Sequence, residues 1–439
     1  MKKVLIITYY WPPSGGAGVQ RWLKFAKYLP ENGWQPIIYT PSNPENPIED
    51  HSLVKEVPDE AIILKQPIWE PYEWYKRFVG KKGEKINTGF LSEKKEPGMM
   101  EKLSVWVRGN FFIPDARKFW IKPSVKYLAQ YLKENPVDAI VSTGPPHSMH
   151  MIAMKVGRKV NIPWLADFRD PWTNIDYYSD LKLSRWADNK HHALEKAVVQ
   201  NCNELVVVGK QMKEEFEELR NSSIEVITNG YDESDFSEDN IVLDEKFSIV
   251  HIGTIAPNRN PKVLWSALGE LVKDNDELKN DLEIRLIGKV DQSVFKSIDE
   301  AGLTNCLNRV GYVSHSEVFG ELRKSQILLL AINDTPNAKG ILTGKFFEYL
   351  AAKRPVLAVG PEDGEVARIL KETGAGEVAG FSDLNQMKSS VLSLYDRYKK
   401  RNLAVTSKGT ESYSRRILTK DLVTILNRTT VTREHKTNE

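Results

Sequence analysis

The feature that most constrains the fold is a rhythm: short β-branched runs alternate with amphipathic segments along almost the whole chain. In the first half the strand-like runs are Val4 to Thr8, Pro36 to Thr40, Asp138 to Ser142, Pro163 to Ala166, Glu204 to Val208 and Ile224 to Ile227. Helical spacing fills the intervals: Gly16 to Leu29, with Trp22, Phe25, Ala26 and Leu29 on one face, then Val125 to Leu132, His147 to Val160, Trp186 to Gln200 and Gln211 to Leu219. Strands separated by helical crossovers pair in parallel, in a sheet covered on both faces. Residues 232–246 break the pattern with an acidic, weakly apolar stretch of linker character. A second series follows, with strands at Phe247 to Ile252, Leu282 to Ile287, Leu307 to Val310, Ile327 to Ala331, Pro355 to Val359 and Gly376 to Ala379. The expected fold is α/β: two Rossmann-like, doubly wound domains in series, 1–235 and 246–410, with the cleft between them as the default binding site. A helix over 411–426 is free to pack back on the first domain, and 427–439 should fray.

Length agrees, since 439 residues exceed one ordinary core. A net charge of +2 gives no whole-protein field that would argue for nucleic acid. The two cysteines, Cys202 and Cys306, lie far apart, which speaks against a disulfide framework or a cysteine-rich zinc site and fits a reducing cytosol. His191 and His192 would point about 100° apart on a helix and read as solvated, not as metal ligands. No apolar run approaches the roughly 20 residues needed to cross a bilayer. The opening Met1-Lys-Lys-Val-Leu-Ile-Ile reads as a buried strand and not as a signal peptide, because the run is short and ends in Tyr-Tyr-Trp-Pro-Pro.

Residues 68–124 do not fit the rhythm. They carry Trp69, Tyr72, Trp74, Tyr75, Phe78, Phe90, Trp106, Phe111, Phe112, Phe119 and Trp120, and 71–125 hold twelve Lys or Arg against six Asp or Glu. Aromatic groups beside a basic excess suit a surface that meets anionic lipid or a lipid-linked acceptor. An insertion packed on its domain with a solvated basic rim is the plainer alternative.

Several segments carry chemistry. In Ile341-Leu-Thr-Gly-Lys-Phe-Phe-Glu-Tyr-Leu-Ala-Ala-Lys-Arg-Pro355, Thr343 is a good N-cap for a helix from Gly344 to about Ala352. Free amides after Thr343 and Gly344 can bind phosphate, Lys345 can add charge, and Glu348, at the margin of the buried face, can accept from ribose hydroxyls. In Pro12-Pro-Ser-Gly-Gly-Ala-Gly18, Gly15 and Gly16 let backbone approach a ligand, and the run is not the dinucleotide fingerprint. Asp167-Phe-Arg-Asp-Pro-Trp172 places Asp167, Arg169 and Asp170 at the end of a parallel strand. There either carboxylate can orient or deprotonate an acceptor hydroxyl, or simply pair with Arg169. His147 follows another strand end. Gly253 and Thr254 close the first strand of the second domain, Arg259 stands just downstream with a guanidinium suited to bidentate pairing with phosphate, Lys262 is the competing candidate, and Val313 offers backbone groups after another strand. Asp274-Asn-Asp276 has the Asp-x-Asp spacing of metal-dependent transferases but reads as a solvated turn.

The segment with Lys345, Glu348, Tyr349, Ala351, Pro355 and Val356 resembles the donor-site helix of glycosyltransferase family 4, "Lys-x-x-Glu-Tyr-x-Ala-x-x-x-Pro-Val". The glycine loop, Asn229-Gly-Tyr-Asp232 and Arg259 resemble other motifs of that family, in its order. The resemblance implies the GT-B fold, a nucleotide-sugar donor in the carboxyl-terminal domain, retention of anomeric configuration, and no metal or other cofactor. Two departures matter. Gly340 stands where many members carry a second Glu that contacts the donor sugar, and the Asp167–Asp170 region is where many relatives carry His. The implied function is a metal-independent glycosyltransferase of hexosyltransferase type, acting on a glycan or lipid-linked acceptor in cell-surface polysaccharide synthesis. It would lie in the cytoplasm, at the inner face of the membrane. A non-hydrolysing sugar-nucleotide epimerase and a non-catalytic GT-B partner subunit are the alternatives.

Overall fold

A computed structural model describes residues 1–46, 48–70, 99–236, 241–313, 315–405 and 408–437. The chain divides into two units, Met1–Thr228 with Leu418–Glu439, and Asn229–Ile417.

The first unit holds a seven-stranded sheet in the order β3-β2-β1-β4-β5-β6-β7. Its strands are β1 Lys2–Ile7, β2 Trp34–Pro41, β3 Ile62–Gln66, β4 Ala139–Gly144, β5 Trp164–Phe168, β6 Glu204–Val207 and β7 Ile224–Val226. Every pairing is parallel. Alternation along β1 splits its side chains between two cores, because successive residues of a strand face opposite ways. Leu5 and Ile7 pack with Met149, Ile152 and Val156. Val4 and Ile6 pack with Trp22, Phe25 and, from the last helix, Leu418, Leu422 and Leu426. That helix, Arg415–Thr437, does not fray from Asn427 as expected. Arg428 bridges Glu204 at 2.7 Å and Glu225 at 2.8 Å, and Lys2 donates to Asn427 and Thr430, so polar ties replace the missing apolar contacts.

The second unit repeats the plan with six parallel strands in the order β10-β9-β8-β11-β12-β13. These are β8 Phe247–Ile252, β9 Leu282–Ile287, β10 Leu307–Val310, β11 Ile327–Ala331, β12 Val356–Val359 and β13 Gly376–Ala379. Asn229-Gly-Tyr-Asp232 opens this unit. Tyr231 bridges to Ser414, and the Asp232 carboxylate accepts from the Ser234 amide at 3.1 Å. Of the acidic stretch beyond it, 237–240 lie outside the described residues.

In each sheet the strand order reverses once, between β1 and β4 and between β8 and β11. Open parallel sheets leave a crevice at such points, beyond the carboxyl ends of the strands. Both reversals are where the candidate residues fall.

Candidate functional site

At the first reversal Asp167, near the end of β5, is 1% exposed and fully engaged. Arg21, from the helix Ala17–Tyr28, donates to it at 2.8 to 3.2 Å, Trp22 Nε1 at 2.7 Å and Thr143 Oγ1 at 2.9 Å. Arg21 also donates to the carbonyls of Ile227 and Thr228. Burial pushes the Asp167 carboxyl up, but the Arg21 charge and these hydrogen bonds outweigh it and hold the pKa below the usual range. A carboxylate with both oxygens occupied is poorly placed to take a proton from an acceptor. Arg169 pairs with neither aspartate by hydrogen bond. It donates to the Gly18 carbonyl at 2.8 Å and to the Pro145 carbonyl, tying the glycine loop to the turn after β4. Asp170 alone keeps an exposed side chain. Crowding by protein atoms raises its pKa, Arg169 opposes this, and Asp176 and Asp167 add to it.

His147 begins the helix Ser148–Val160 and stacks on Trp172 with centroids 4.3 Å apart and planes 2° from parallel. Burial, then His150, His191 and Arg169, keep it neutral. Its Nδ1 has no hydrogen-bond partner. His150, which the sequence did not single out, meets Ser142 Oγ through Nδ1 at 2.8 Å and is pulled down to about 3, chiefly by burial. His191 is buried, not solvated as expected: its Nδ1 accepts from Trp172 Nε1 at 3.1 Å. His192 is exposed beside Asp188.

The glycine loop divides. The Gly15 amide donates to the Ile48 carbonyl at 2.9 Å, and a Cβ there would stand 3.1 Å from Ile48 Cγ2, so its glycine serves chain packing and its amide is not open to phosphate. Gly16 has φ +86°, which favours glycine, with open space where a side chain would project.

At the second reversal the candidates converge. Gly253, just after β8, has φ +116°, and a Cβ there would lie 2.4 Å from Lys345 Nζ. Lys345 stands in the first turn of the helix Gly344–Ala351, with Nζ 3.5 Å from His251 Nε2. Burial first and Arg259 second, against the opposing pull of Glu348, lower its pKa to about 8. Tyr349, buried one turn on, accepts from the Ile252 amide at 3.2 Å and pins this helix to β8. Arg259 ends a short turn, Pro257–Arg259, and its Nε donates to Asn333 Oδ1 beyond β11. Arg259 and the exposed Lys262 line one cavity of about 250 Å³ with Asn258, Ile332, Asp334 and Phe381. Thr254 and Val313 are half-buried.

Thr343 has N-cap backbone geometry but makes no side-chain cap; its Oγ1 is buried without a partner. Gly344 has open space at its Cβ position, and Glu348 is half-buried. Gly340 ends a short turn, Ala338–Gly340, beside the Lys339–Asp363 ion pair. Asp274 and Asp276 flank a helix junction at the surface, where Asn275 caps the next helix through the Leu278 amide at 2.9 Å.

The aromatic stretch separates into core and surface. Trp120 is buried against Tyr39 with ring centroids 4.8 Å apart, and Arg117 pairs with Glu70 at 3.0 Å. Trp69, Trp106, Phe111 and Phe119 are exposed, with Lys118 over the Phe112 and Phe119 rings. Trp186 is exposed as well, with Lys190 over it at 4.8 Å. Tyr72, Trp74, Tyr75, Phe78 and Phe90, and seven of the twelve basic residues of 71–125, lie outside the described residues. No helix among the described residues is long and apolar enough to cross a membrane.

Residues 90–235 match the family model Glycosyltransferase Family 4. No curated protein matches the chain. Solved structures share its fold over nearly its whole length. Sucrose-phosphate synthase from Thermosynechococcus elongatus is 13% identical, with 98% of this chain and 99% of that one covered and a TM-score of 0.61. A TarM variant from S. aureus, solved with fondaparinux, alpha-GlcNAc-glycerol and UDP, is 12% identical, with 97% and 100% covered and a TM-score of 0.58. A putative UDP-N-acetylglucosamine 2-epimerase from Listeria monocytogenes is 11% identical, with 96% and 95% covered and a TM-score of 0.55. The chain thus has the two-sheet α/β fold of these structures, the GT-B fold, and its residues 90–235 are similar to Glycosyltransferase Family 4.

Proposed function

We propose that this chain is a retaining glycosyltransferase of hexosyltransferase type. It moves a sugar from a nucleotide-diphosphate donor to a glycan or lipid-linked acceptor in cell-surface polysaccharide synthesis. The observation that carries the reading is the placement, at the β8/β11 reversal, of Arg259 beside Lys262 on one cavity and within electrostatic reach of Lys345, whose ammonium lies where a side chain on Gly253 would stand. Three cations at the mouth of a parallel sheet suit a diphosphate. They stabilise it most as it departs with developing charge, which supplies the role a metal plays in other transferases. The helix Gly344–Ala351 adds first-turn amides, and Glu348, one turn in, is placed to accept from ribose hydroxyls. The TarM variant was solved with UDP, which supports the class of ligand.

In the first unit, Asp170 is the carboxylate available for an acceptor hydroxyl. Its raised pKa makes it a better proton acceptor than an ordinary aspartate. Arg169 and Asp167 hold the loops around it, and His147 presents a neutral imidazole. Retention rests on the family resemblance.

The exposed Trp69, Trp106, Phe111, Phe119 and Trp186, with Lys118 over Phe119 and Lys190 over Trp186, support peripheral contact with anionic lipid on the cytoplasmic side of a membrane. A donor screen tests the function: the protein should slowly hydrolyse one class of nucleotide sugar without acceptor and in the presence of chelator. Hydrolysis of none, or release of the donor with its sugar epimerised, would replace the transferase reading.

A further inference from the structure

His251 lies within β8, in the run Phe-Ser-Ile-Val-His-Ile, where an apolar residue would pack without cost. It is 2% exposed, and burying an imidazole costs free energy that hydrogen bonds to its ring nitrogens offset. Nδ1 lies 3.0 Å from the Leu329 carbonyl oxygen. A carbonyl only accepts, so Nδ1 carries the proton and Nε2 presents a lone pair. That lone pair faces Lys345 Nζ at 3.5 Å. The ring therefore needs the lysine as much as the lysine needs the ring.

Gly253, two residues on, completes the arrangement. A side chain there would strike Lys345 at both Nζ and Cε, at 2.4 and 3.1 Å. One strand end thus contributes an acceptor for the ammonium and a gap to lodge it. The charged groups facing Lys345 are Arg259, which repels it, and Glu348, which attracts it. Burial, Lys345 and Arg259 keep His251 neutral against the pull of backbone hydrogen bonds to Leu329 and Thr254.

We propose that His251 is a positioning residue for the donor diphosphate, acting through Lys345, whose ammonium its Nε2 lone pair holds over Gly253. This rests on the donor-site reading given above. A bound diphosphate would then find Lys345 already aimed, with part of the ordering cost met before binding.

The test is a set of calorimetric titrations, with whichever of uridine, guanosine or adenosine diphosphate binds the wild type. The proteins are wild type, His251→Leu, His251→Gln, Lys345→Met and the His251→Leu/Lys345→Met pair, each checked by thermal melting. Lys345→Met removes a charge-assisted hydrogen bond to the ligand and should weaken binding about tenfold or more. His251→Leu should lose most of that amount, and the double variant should bind no worse than Lys345→Met. His251→Gln, which can still accept from the ammonium, should keep most of the affinity. Full additivity in the double variant, or wild-type affinity in His251→Leu, overturns the proposal. Should the leucine variant fail to fold, a folded His251→Gln as weak as Lys345→Met overturns it equally. If no diphosphate binds the wild type, the donor-site reading itself fails and takes this inference with it. A binding wild type with additive variants removes only the role of His251.

Discussion

Asp167 and Lys345 make an instructive pair. Each is a charged residue near a point where the strand order of a parallel sheet reverses, and each sits in a motif-like segment. Asp167 is closed, with Arg21, Trp22 and Thr143 using both carboxylate oxygens. Lys345 is held loosely, by one long contact to His251, and its pKa is down to about 8. A charge whose hydrogen bonds are complete within the fold stabilises the fold. A charge that burial has strained and the fold has only partly compensated gains by meeting a ligand. Asp167 makes its hydrogen bonds within the first unit's own fold, whereas under the proposed donor site the cations of the second unit serve a ligand.

The largest effects should come from breaking the closed site. Arg21→Met would leave Asp167 buried and unpaired, at a cost of about 3–5 kcal/mol, read by urea denaturation. If stability holds while turnover collapses, Asp167 belongs with the chemistry and the contrast fails. Asp170→Asn should behave in the opposite way. Its exposed side chain makes it nearly neutral for stability, while general-base loss should lower kcat by about 10²–10⁴. Since its pKa is raised, wild-type turnover should fall at a higher pH than an ordinary aspartate would give as the solution is acidified. A pH profile identical in Asp170→Asn and wild type would remove it from the acceptor side.

Smaller effects should mark the open site. Lys345 is charged below about pH 8 and neutral above it. A diphosphate favours the charged form, so affinity should be full at lower pH and decline as pH rises through that value. The decline should vanish in Lys345→Met; if it persists there, another group titrates. The smallest effect concerns the surface. Lys190→Ala should weaken flotation with anionic liposomes by about 1 kcal/mol, and raised salt should weaken it further. Flotation indifferent to both would sink the lipid contact.

Most of the fold was legible because parallel strands buried on both faces read as near-continuous apolar runs. The exception is β3, whose Ile-Ile-Leu-Lys-Gln is half-exposed at the sheet edge and lacks that signature. The donor-side helix was legible in its limits, but Thr343 turned out not to cap it through its side chain. Arg21 was missed for a physical reason. Its partner lies 146 positions away, and a basic residue beside Trp22 on an amphipathic helix looks like an ordinary solvated charge. The same distance hid the meaning of Asp167. His251 was visible only as a neighbour of Gly253. Its role depends on a carbonyl from β11 and a lysine 94 positions on, and no local spacing encodes either.

The central claim is that the second unit holds a nucleoside diphosphate at the β8/β11 reversal. Calorimetric titration of the intact protein with uridine, guanosine and adenosine diphosphates, with and without chelator, tests it most directly. One of them should bind, equally well in both conditions, and Glu348→Ala should weaken that binding about tenfold. Binding of none, or binding that Glu348→Ala and Lys345→Met both leave unchanged, would contradict the claim.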